Sequence, residues 1–442
     1  MEFHKASLPA IADGLRSGQI DLFDYLAETL RRVEATDAEL RALLPEPGRR
    51  ARLMSEAEAL LAAYPDPNDR PPLFGVPVGI KDLLHVDGLE TRAGSFLPPE
   101  DLTAPEGTVV KRFRAAGALI LGKTETDEFA HSEPPVTRNP RNLKHSPGGS
   151  SGGSAAAIAA GLCPIAVGTQ TFRSIIGPAS FCGTMGYKPS WETMPSDGLV
   201  YMCDSVDTIG FLAQDLASIC LAAEVIGQVG PITPATAKPR LGVPRVSSME
   251  ALDPVARTAY ADQLARLEAA GFELVEVALF DDAYLDEVRV QIGRVLPYEM
   301  ARIHAPWFDR HEALYRERTH EGIVNGRKVT ATEYAEGRLF QAEHRKKIEA
   351  AMDAAGIDLW VLPGSNGPAP ETYHVTGWAD MTGSWSFAGL GSLCFPADVV
   401  DGGLPLGLQF VPRYGDDAKL LGWGHQIEPV FADIAAQLAP AA

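Results

Sequence analysis

Three residues that lie far apart in the sequence could together perform acyl transfer: Lys81, Ser150 and Ser174. A serine hydroxyl is a weak nucleophile that needs an adjacent base, and no histidine lies near either serine in a recognisable triad pattern. A neutral lysine can serve instead. Lys81 follows VPVGI and precedes DLL, so burial should disfavour its ammonium form and lower its pKa. The alternative is a lysine whose charged end reaches the surface.

Ser150 lies in a glycine-rich segment, HSPGGSSGGSAAAIAAG, that leads into an alanine-rich helix pattern. Glycines allow tight turns, and the first amides of a helix face the loop before it, as in a phosphate cradle. No GK[ST] sequence follows, however, and no acidic residue stands at the dinucleotide spacing. GGSSG also matches GxSxG, but the polar stretch 138–147 precedes it where a nucleophile elbow requires a strand. The segment by itself therefore leaves its chemistry open.

Helix and strand patterns alternate around these residues. Apolar residues recur at helical spacing over residues 7–63, and 74–84 reads as a buried strand that carries Lys81. A helix pattern at 109–116 and strand patterns at 118–122 and 163–169 follow. This alternation predicts an α/β fold with a βαβ-rich sheet covered by helices.

The second half of the chain continues the pattern after a loop-like segment at 226–240, which is either a domain linker or a crossing over the sheet. We predict the crossing, and hence one domain over 1–442, with N-terminal helices to 65, a core at 66–240 and a part at 241–442 that completes the sheet. Predicted helices span 254–270, 282–304 and 330–355, and predicted strands span 241–244, 272–277, 357–362 and 404–410.

Composition excludes several classes of function. The net charge of −19 argues against nucleic-acid binding, which needs a basic face. The N-terminus lacks the apolar region of a signal peptide, and no apolar run is long enough to span a membrane, so we expect a cytoplasmic protein. The 5 cysteines are widely spaced, without a metal-ligand pattern. We therefore expect buried thiols, no metal and no cofactor; a catalytic thiol is the alternative.

Several stretches together resemble the amidase signature family: GVPVGIKDLLHVDGLETRAGS, GKTETDEFAHS, the segment around Ser150, GTQTFRSIIGPASFCGTMGYKPS and WSFAGLGSLCFPADVVDGGLPLGLQFV. The resemblance implies a large mixed twisted β-sheet covered on both faces by helices. It implies Lys81 as general base, Ser150 as a bridging serine beside a cis peptide and Ser174 as nucleophile. Gly149 and Ser151 would support Ser150, and the amides of Thr171, Phe172, Arg173 and Ser174 would form the oxyanion hole.

The sequence departs from the family beside the nucleophile. Phe172 and Arg173 stand where small residues are usual, and Gly177 stands where many relatives carry an arginine. Phe172 is expected to form one wall of an apolar acyl pocket. His131 and Trp385 are further candidates for residues that line this pocket. Arg173 either grips a substrate carboxylate or turns outward, and we favour the outward orientation.

The leading hypothesis is an amidohydrolase that cleaves a C–N bond of a carboxamide or carbamate, with urethane or ester activity open. The alternatives are acyl transfer or amide synthesis by the same triad, and a non-catalytic binding protein on the same scaffold. A glutaminase subunit of a transamidation complex is less favoured, because nothing in the sequence singles out a partner surface. The expected partner is a small molecule, not a membrane or a nucleic acid, and a homodimer remains open.

Overall fold

A mixed sheet of ten strands organises the protein. The structure is a computed structural model that describes residues 2–131, 133–372 and 374–441. The strands, in chain order, are β1 Pro77–Lys81, β2 Leu119–Thr124, β3 Ile165–Gln170, β4 Met185–Lys188, β5 Thr208–Ala213, β6 Leu241–Arg245, β7 Leu274–Ala278, β8 Leu359–Pro363, β9 Ser392–Val400 and β10 Leu404–Val411. Their order across the sheet is β2-β1-β3-β5-β4-β9-β10-β8-β6-β7.

Helices surround the sheet and confirm the predicted α/β class. Those of the first half are α1 Leu8–Ser17, α2 Leu22–Leu40, α3 Arg49–Ala63, α4 Thr108–Ala115, α5 Gly152–Ala159, α6 Ile176–Cys182 and α7 Leu216–Val225. Those of the second half are α8 Pro254–Ala269, α9 Asp282–His311, α10 Glu317–Gly326, α11 Ala331–Ala355, α12 Gly383–Phe387, α13 Asp417–Ile427 and α14 Ala432–Gln437.

The parallel trio β2-β1-β3 positions the lysine. Every residue of these three strands is buried. Because successive side chains of a strand point to opposite faces, both faces of the sheet are covered here. β1 lies between the other two strands and ends at Lys81. It is shorter than the predicted strand at 74–84, because Leu84 forms only an isolated bridge with Leu199.

The rest of the sheet is built from distant parts of the sequence. β5 pairs antiparallel with β3 and β4, and β4 pairs antiparallel with β9. β8 and β10 pair antiparallel, as the sequence predicts for the last strand pair. The segment 226–240 leads from α7 to β6, which lies near the other end of the same sheet. This placement supports the predicted crossing, and we propose on that basis that the chain is one domain.

The predicted amphipathic helices at the N-terminus are present. Ser7 caps α1 and Asp21 caps α2, each by accepting a hydrogen bond from a backbone N–H of the first turn. Their apolar faces are buried in the main core, for example through Leu15 and Leu26. None of the helices in the described part of the chain is long and apolar enough to cross a membrane.

All five cysteines are buried and carry free thiols. Burial raises the pKa of each thiol above its usual value. A buried thiol with a raised pKa stays protonated and is a poor nucleophile. These side chains therefore pack as small apolar groups, as the sequence analysis favoured over a catalytic thiol. They are Cys163, Cys182, Cys203, Cys220 and Cys394.

Candidate active site

Lys81 and Ser150 meet in the interior. Lys81 Nζ lies 2.6 Å from Ser150 Oγ, and both side chains are fully buried. The ammonium or amine group also contacts Thr169, whose Oγ1 is 2.8 Å from Nζ and whose carbonyl oxygen is 3.3 Å away. Since Lys81 ends β1 and Thr169 lies near the end of the adjacent parallel β3, the two strands deliver these groups to the same edge of the sheet. The alternative of a surface-reaching lysine is wrong.

Burial changes the acid–base behaviour of Lys81. Desolvation lowers the pKa of its side chain to about 7, against the opposing effect of two buried carboxylates, Asp127 and Asp207. A group with a pKa near the working pH can both take up and release a proton, which a free lysine cannot do at neutrality. The surroundings of Lys81 therefore suit a general base.

The loop that carries Ser150 is tightly packed. The peptide bond between Gly149 and Ser150 is cis. A Cβ atom at Gly149 would lie 2.5 Å from Asp127 Oδ1 and 2.7 Å from Thr376 Cβ, so this position accepts only glycine. The chain then enters α5 at Gly152. The predicted supporting role of Gly149 thus has a steric basis.

Ser151 joins the two serine segments. Its hydroxyl donates to the Thr169 carbonyl at 3.0 Å and accepts from the Thr169 N–H at 3.1 Å. Its backbone N–H donates to the carbonyl of Ser174 at 3.1 Å. Ser151 thereby ties the Ser150 loop to β3 and to the segment of Ser174, as the resemblance suggests.

Ser174 lies just before α6 and is 6% exposed. The turn around it is fixed by Gln170, whose Oε1 accepts the N–H groups of Ile175 and Ile176 at 2.8 and 2.9 Å. Gln170 Nε2 donates to Ser386 Oγ at 2.9 Å, and Ser386 Oγ donates to the carbonyl oxygen of Phe172 at 3.0 Å. Side chains from distant parts of the sequence thus set the backbone path of the serine segment.

A second buried carboxylate, which the sequence analysis missed, holds the start of this segment. Asp207 accepts a hydrogen bond from Thr171 Oγ1 and two more from the backbone N–H groups of Met202 and Cys203. Burial raises the pKa of the Asp207 carboxyl to about 6, although these hydrogen bonds act in the opposite direction. The sequence offered only a weak signal, an acidic residue in CDSVDTIG just before a buried strand.

The outward orientation favoured for Arg173 is wrong. Its Nη2 donates to Thr376 Oγ1 at 2.6 Å, and its Nε is buried. The Arg173 stem lies over Gly177, where a Cβ atom would be 3.7 to 4.0 Å from the Arg173 side-chain carbons, an ordinary contact distance. The Arg173 side chain folds back over α6, where Gly177 has no side chain.

The partly buried Phe172 side chain packs against an apolar cluster. That cluster contains Val288, Val295 and Phe387. A pocket of about 250 Å³ lies beside it, lined by Phe172, Leu285, Val288, Ile292 and Ala379, with Ser248 and Arg289 among its polar residues.

The other two pocket candidates lie elsewhere. Trp385 is 5% exposed and packs in a core cluster with Trp360, at 5.6 Å between ring centroids, so its packing does not support a pocket role. His131 is partly buried beside Gly322 of α10, and burial lowers its pKa to about 4. Neither residue lines the pocket beside Phe172.

Comparison with known proteins assigns the family. A family model described as Amidase matches residues 24–421. The chain belongs to the amidase family. A glutamyl-tRNA(Gln) amidotransferase subunit of Nitratidesulfovibrio vulgaris (strain DP4) is 31% identical, and the alignment covers 96% of each chain. A crystal structure of an amidase is 30% identical, with a TM-score of 0.86 over 96% of this chain and 99% of that one.

The fold of the amidase family extends to more distant structures. The peptide amidase from Stenotrophomonas maltophilia is 23% identical, with a TM-score of 0.81 over 98% of each chain, and shows the shared fold. Family membership confirms the predicted resemblance and the predicted fold. With amidase and amidotransferase relatives over nearly its whole length, the protein is an enzyme that acts on carbon–nitrogen bonds.

Proposed function

We propose that this amidase hydrolyses a C–N bond of a carboxamide or carbamate through an acyl intermediate on Ser174, with Lys81 as the base and Ser150 as the proton relay. The observation that carries the proposal is the contact of 2.6 Å between Lys81 Nζ and Ser150 Oγ in a fully buried site. A hydrogen bond of this length between an amine and a hydroxyl is a ready path for a proton.

The proposed reaction begins when neutral Lys81 accepts the hydroxyl proton of Ser150, which takes the proton of Ser174. The oxygen of Ser174 then bonds to the carbonyl carbon of the substrate. The proton on Lys81 returns through Ser150 to the leaving nitrogen, and the C–N bond breaks. Water attacks the acyl-serine, and its proton reaches the Ser174 oxygen by the same relay. The bond of Ser151 to the Ser174 carbonyl supports this path because it holds the two serine segments together.

The oxyanion hole is proposed at the backbone amides of residues 171–174. Within the described ranges, no backbone or side-chain acceptor takes the N–H groups of Phe172, Arg173 and Ser174. Free donors beside a buried nucleophile can stabilise the negative charge that develops on a carbonyl oxygen. Ser386 and Gln170 support this assignment, because Ser386 Oγ holds the Phe172 carbonyl oxygen and Gln170 Oε1 holds the N–H groups of Ile175 and Ile176, which together fix the backbone on both sides of Ser174.

The acyl group is proposed to lie in the apolar pocket beside Phe172. Its volume of about 250 Å³ is in the range of a small aromatic or branched aliphatic group. Carbamates fit the same chemistry, because their carbonyl carbon can also bond to Ser174. Esters would form the same acyl-Ser174 intermediate, so ester hydrolysis is part of the proposal.

The first experiment measures covalent labelling of Ser174 by a fluorophosphonate, with the labelled peptide identified by mass spectrometry. Wild type is expected to be labelled, and Ser174→Ala is expected to be inert. Ser55→Ala, which removes an exposed hydroxyl on α3, serves as the matched control and should label like wild type. Labelling that survives in Ser174→Ala would overturn the proposal. Absence of labelling in wild type, together with no turnover of aryl amides, primary amides or carbamates, would support a non-catalytic binding protein.

Transfer to an acceptor other than water is the second candidate, because one relative is named as part of an amidotransferase. The same acyl-Ser174 would then react with an amine. Adding hydroxylamine during turnover distinguishes the two, since transfer yields a hydroxamate and hydrolysis yields the acid. If the hydroxamate is formed in excess over the acid at millimolar hydroxylamine, the result favours transfer.

A further inference from the structure

A hydrogen-bonded chain of three side chains ends at the wall of the pocket beside Phe172. Ser384 lines this pocket and is partly buried. Its Oγ lies 2.8 Å from Nε2 of His344, and Nδ1 of the same ring lies 3.1 Å from the hydroxyl oxygen of Tyr284. His344 comes from α11 and Tyr284 from α9, so two long helices hold a hydroxyl that α12 supplies. The proposed acyl transfer does not use any of these three side chains.

The imidazole of His344 is uncharged in these surroundings. The side chain is fully buried. Four aromatic rings lie around it, with centroids 5.3 to 6.4 Å from that of the imidazole, and they belong to Phe280, Tyr284, Phe340 and Phe387. Burial lowers the pKa of His344 to about 4, and the nearby cation Lys347 acts in the same direction. A neutral imidazole has one N–H donor and one acceptor nitrogen, so the protons of the chain all point the same way.

The phenol of Tyr284 sets that direction. A phenol is a better hydrogen-bond donor and a poorer acceptor than an aliphatic hydroxyl, because its proton is more acidic and its lone pair is shared with the ring. Tyr284 therefore donates to Nδ1 of His344, which leaves the imidazole proton on Nε2. Nε2–H then donates to Ser384 Oγ. The hydroxyl proton of Ser384 is not used in this chain and remains available to a group in the pocket.

The short helix α12 connects this hydroxyl to the segment of the nucleophile. Two residues after Ser384, the Oγ of Ser386 donates to the carbonyl oxygen of Phe172 at 3.0 Å. Phe172 lines the pocket and stands two residues before Ser174. An acyl group that is bonded to Ser174 and lies in the pocket would therefore come within reach of the Ser384 hydroxyl.

The charged residues of the pocket each have a partner of their own. Arg289 pairs with Asp286, and Asp380 accepts a hydrogen bond from Asn366 Nδ2 at 2.8 Å. The pocket lining thus includes one charge of each sign and attracts neither an anion nor a cation strongly. An uncharged acceptor, such as an ether or carbonyl oxygen, suits a hydroxyl donor in such a pocket better than a carboxylate, which would lose its hydration there.

We propose that Ser384 is a specificity-determining residue: its hydroxyl donates a hydrogen bond to an uncharged oxygen acceptor on the acyl group of the substrate, and His344 and Tyr284 are positioning residues that fix the direction of this bond. The inference rests on the proposed function, because it takes the pocket beside Phe172 as the acyl site. It narrows the substrates to amides or carbamates whose acyl part carries an ether or carbonyl oxygen on an apolar body.

The test compares acyl groups of the same shape with and without the acceptor. Anilides of ortho-, meta- and para-methoxybenzoic acid are each paired with the anilide of the corresponding ethylbenzoic acid, in which a methylene group replaces the ether oxygen. Wild type should prefer one methoxy isomer over its ethyl partner by about tenfold in kcat/KM, because the ethyl group leaves the hydroxyl without an acceptor. Ser384→Ala should abolish this preference, through slower turnover of the methoxy substrate and little change for the ethyl substrate.

Further variants separate recognition from packing. Ser384→Thr keeps the hydroxyl and should keep most of the preference. Tyr284→Phe removes only the phenol oxygen and allows the imidazole proton to move to Nδ1, so the Ser384 proton is partly drawn to Nε2 and the preference should fall to an intermediate value. Tyr298→Phe, on the same helix α9, is the matched control and should behave as wild type. Ser248→Ala removes the hydroxyl of another pocket residue and should leave the preference unchanged.

Several results would overturn the inference. A loss in Ser384→Ala that is equal for methoxy and ethyl substrates indicates a structural role only. A preference that survives in Ser384→Ala but disappears in Ser248→Ala assigns the donor to Ser248. Wild type that is labelled by fluorophosphonate at Ser174, yet hydrolyses none of these anilides or shows no preference in any isomer pair, overturns the inference alone. Wild type that is not labelled at all overturns the proposed function and this inference with it.

Discussion

The pH dependence of turnover is the most direct measure of the proposed base. In the wild type, kcat/KM should rise with pH through a midpoint near the Lys81 pKa of about 7 and then stay level on the alkaline side. The direction follows from the chemistry: only the neutral amine can accept the proton of Ser150, so activity appears as Lys81 loses its proton.

The magnitude follows from the same shift. At a pKa of about 7, roughly half of the Lys81 side chains are neutral near pH 7. At the unperturbed value of 10.5, the neutral fraction would be about one in three thousand. Burial of Lys81 therefore accounts for a gain of about three orders of magnitude in competent base at neutrality. Lys81→Arg, which keeps the charge but cannot release a proton, should lose at least that factor.

The assay is amine release from an aryl amide between about pH 5 and about pH 10, with circular dichroism at each pH to establish that the protein is folded. Lys346→Arg is the matched control, because Lys346 is an exposed lysine paired with Glu343. A wild-type profile that falls above neutrality in folded protein would refute the lysine base. So would a Lys81→Arg variant that retains more than about a tenth of the wild-type rate.

Three further predictions concern the nucleophile, the relay and the pocket. Ser174→Ala should lower kcat by at least about a thousandfold with little change in melting temperature, because it removes a single hydroxyl; residual activity above about a tenth of wild type would contradict its role. Ser150→Ala and Lys81→Ala should each be as damaging as the two combined, since the groups act as a unit, and additive losses in the double variant would argue against a relay. Phe172→Ala should change the ratio of kcat/KM between bulky aromatic and small aliphatic amides by roughly tenfold, and a uniform change for all substrates would show that the residue acts on the oxyanion donors instead.

Sequence patterns predicted the parts of the fold that depend on local periodicity. The helices at 282–304 and 330–355 are present as α9 and α11, and the strand pair at the C-terminus is present as β8 and β10. The sequence analysis missed β4, β5 and β9, which lie side by side in the sheet. β4 has only four residues, too few to show a periodicity, and it is stabilised by partners from other parts of the chain, among them β9, which is distant in sequence.

In the site, too, local motifs predicted some features, whereas features that depend on distant residues were not predicted. The roles of Lys81, Ser150 and Ser174 were predicted from motifs that resemble those of the family and stay predictions; the structure brings Lys81 and Ser150 into contact. The orientation of Arg173 was not predictable in this way. It involves a hydrogen bond to Thr376, 203 residues further along the chain, which no local pattern reveals.

The hydrogen bonds that hold the serine segment have a consequence for the order in which the protein becomes active during synthesis. Lys81, Ser150 and Ser174 all leave the ribosome with the first half of the chain. Ser386, which bonds to Gln170 and to the Phe172 carbonyl, and Thr376, which bonds to the Arg173 side chain, both come from the last part of the chain. Contacts between such distant residues form late in folding. A nascent or truncated chain that already contains Lys81, Ser150 and Ser174 should therefore remain inert until the last part of the chain has folded.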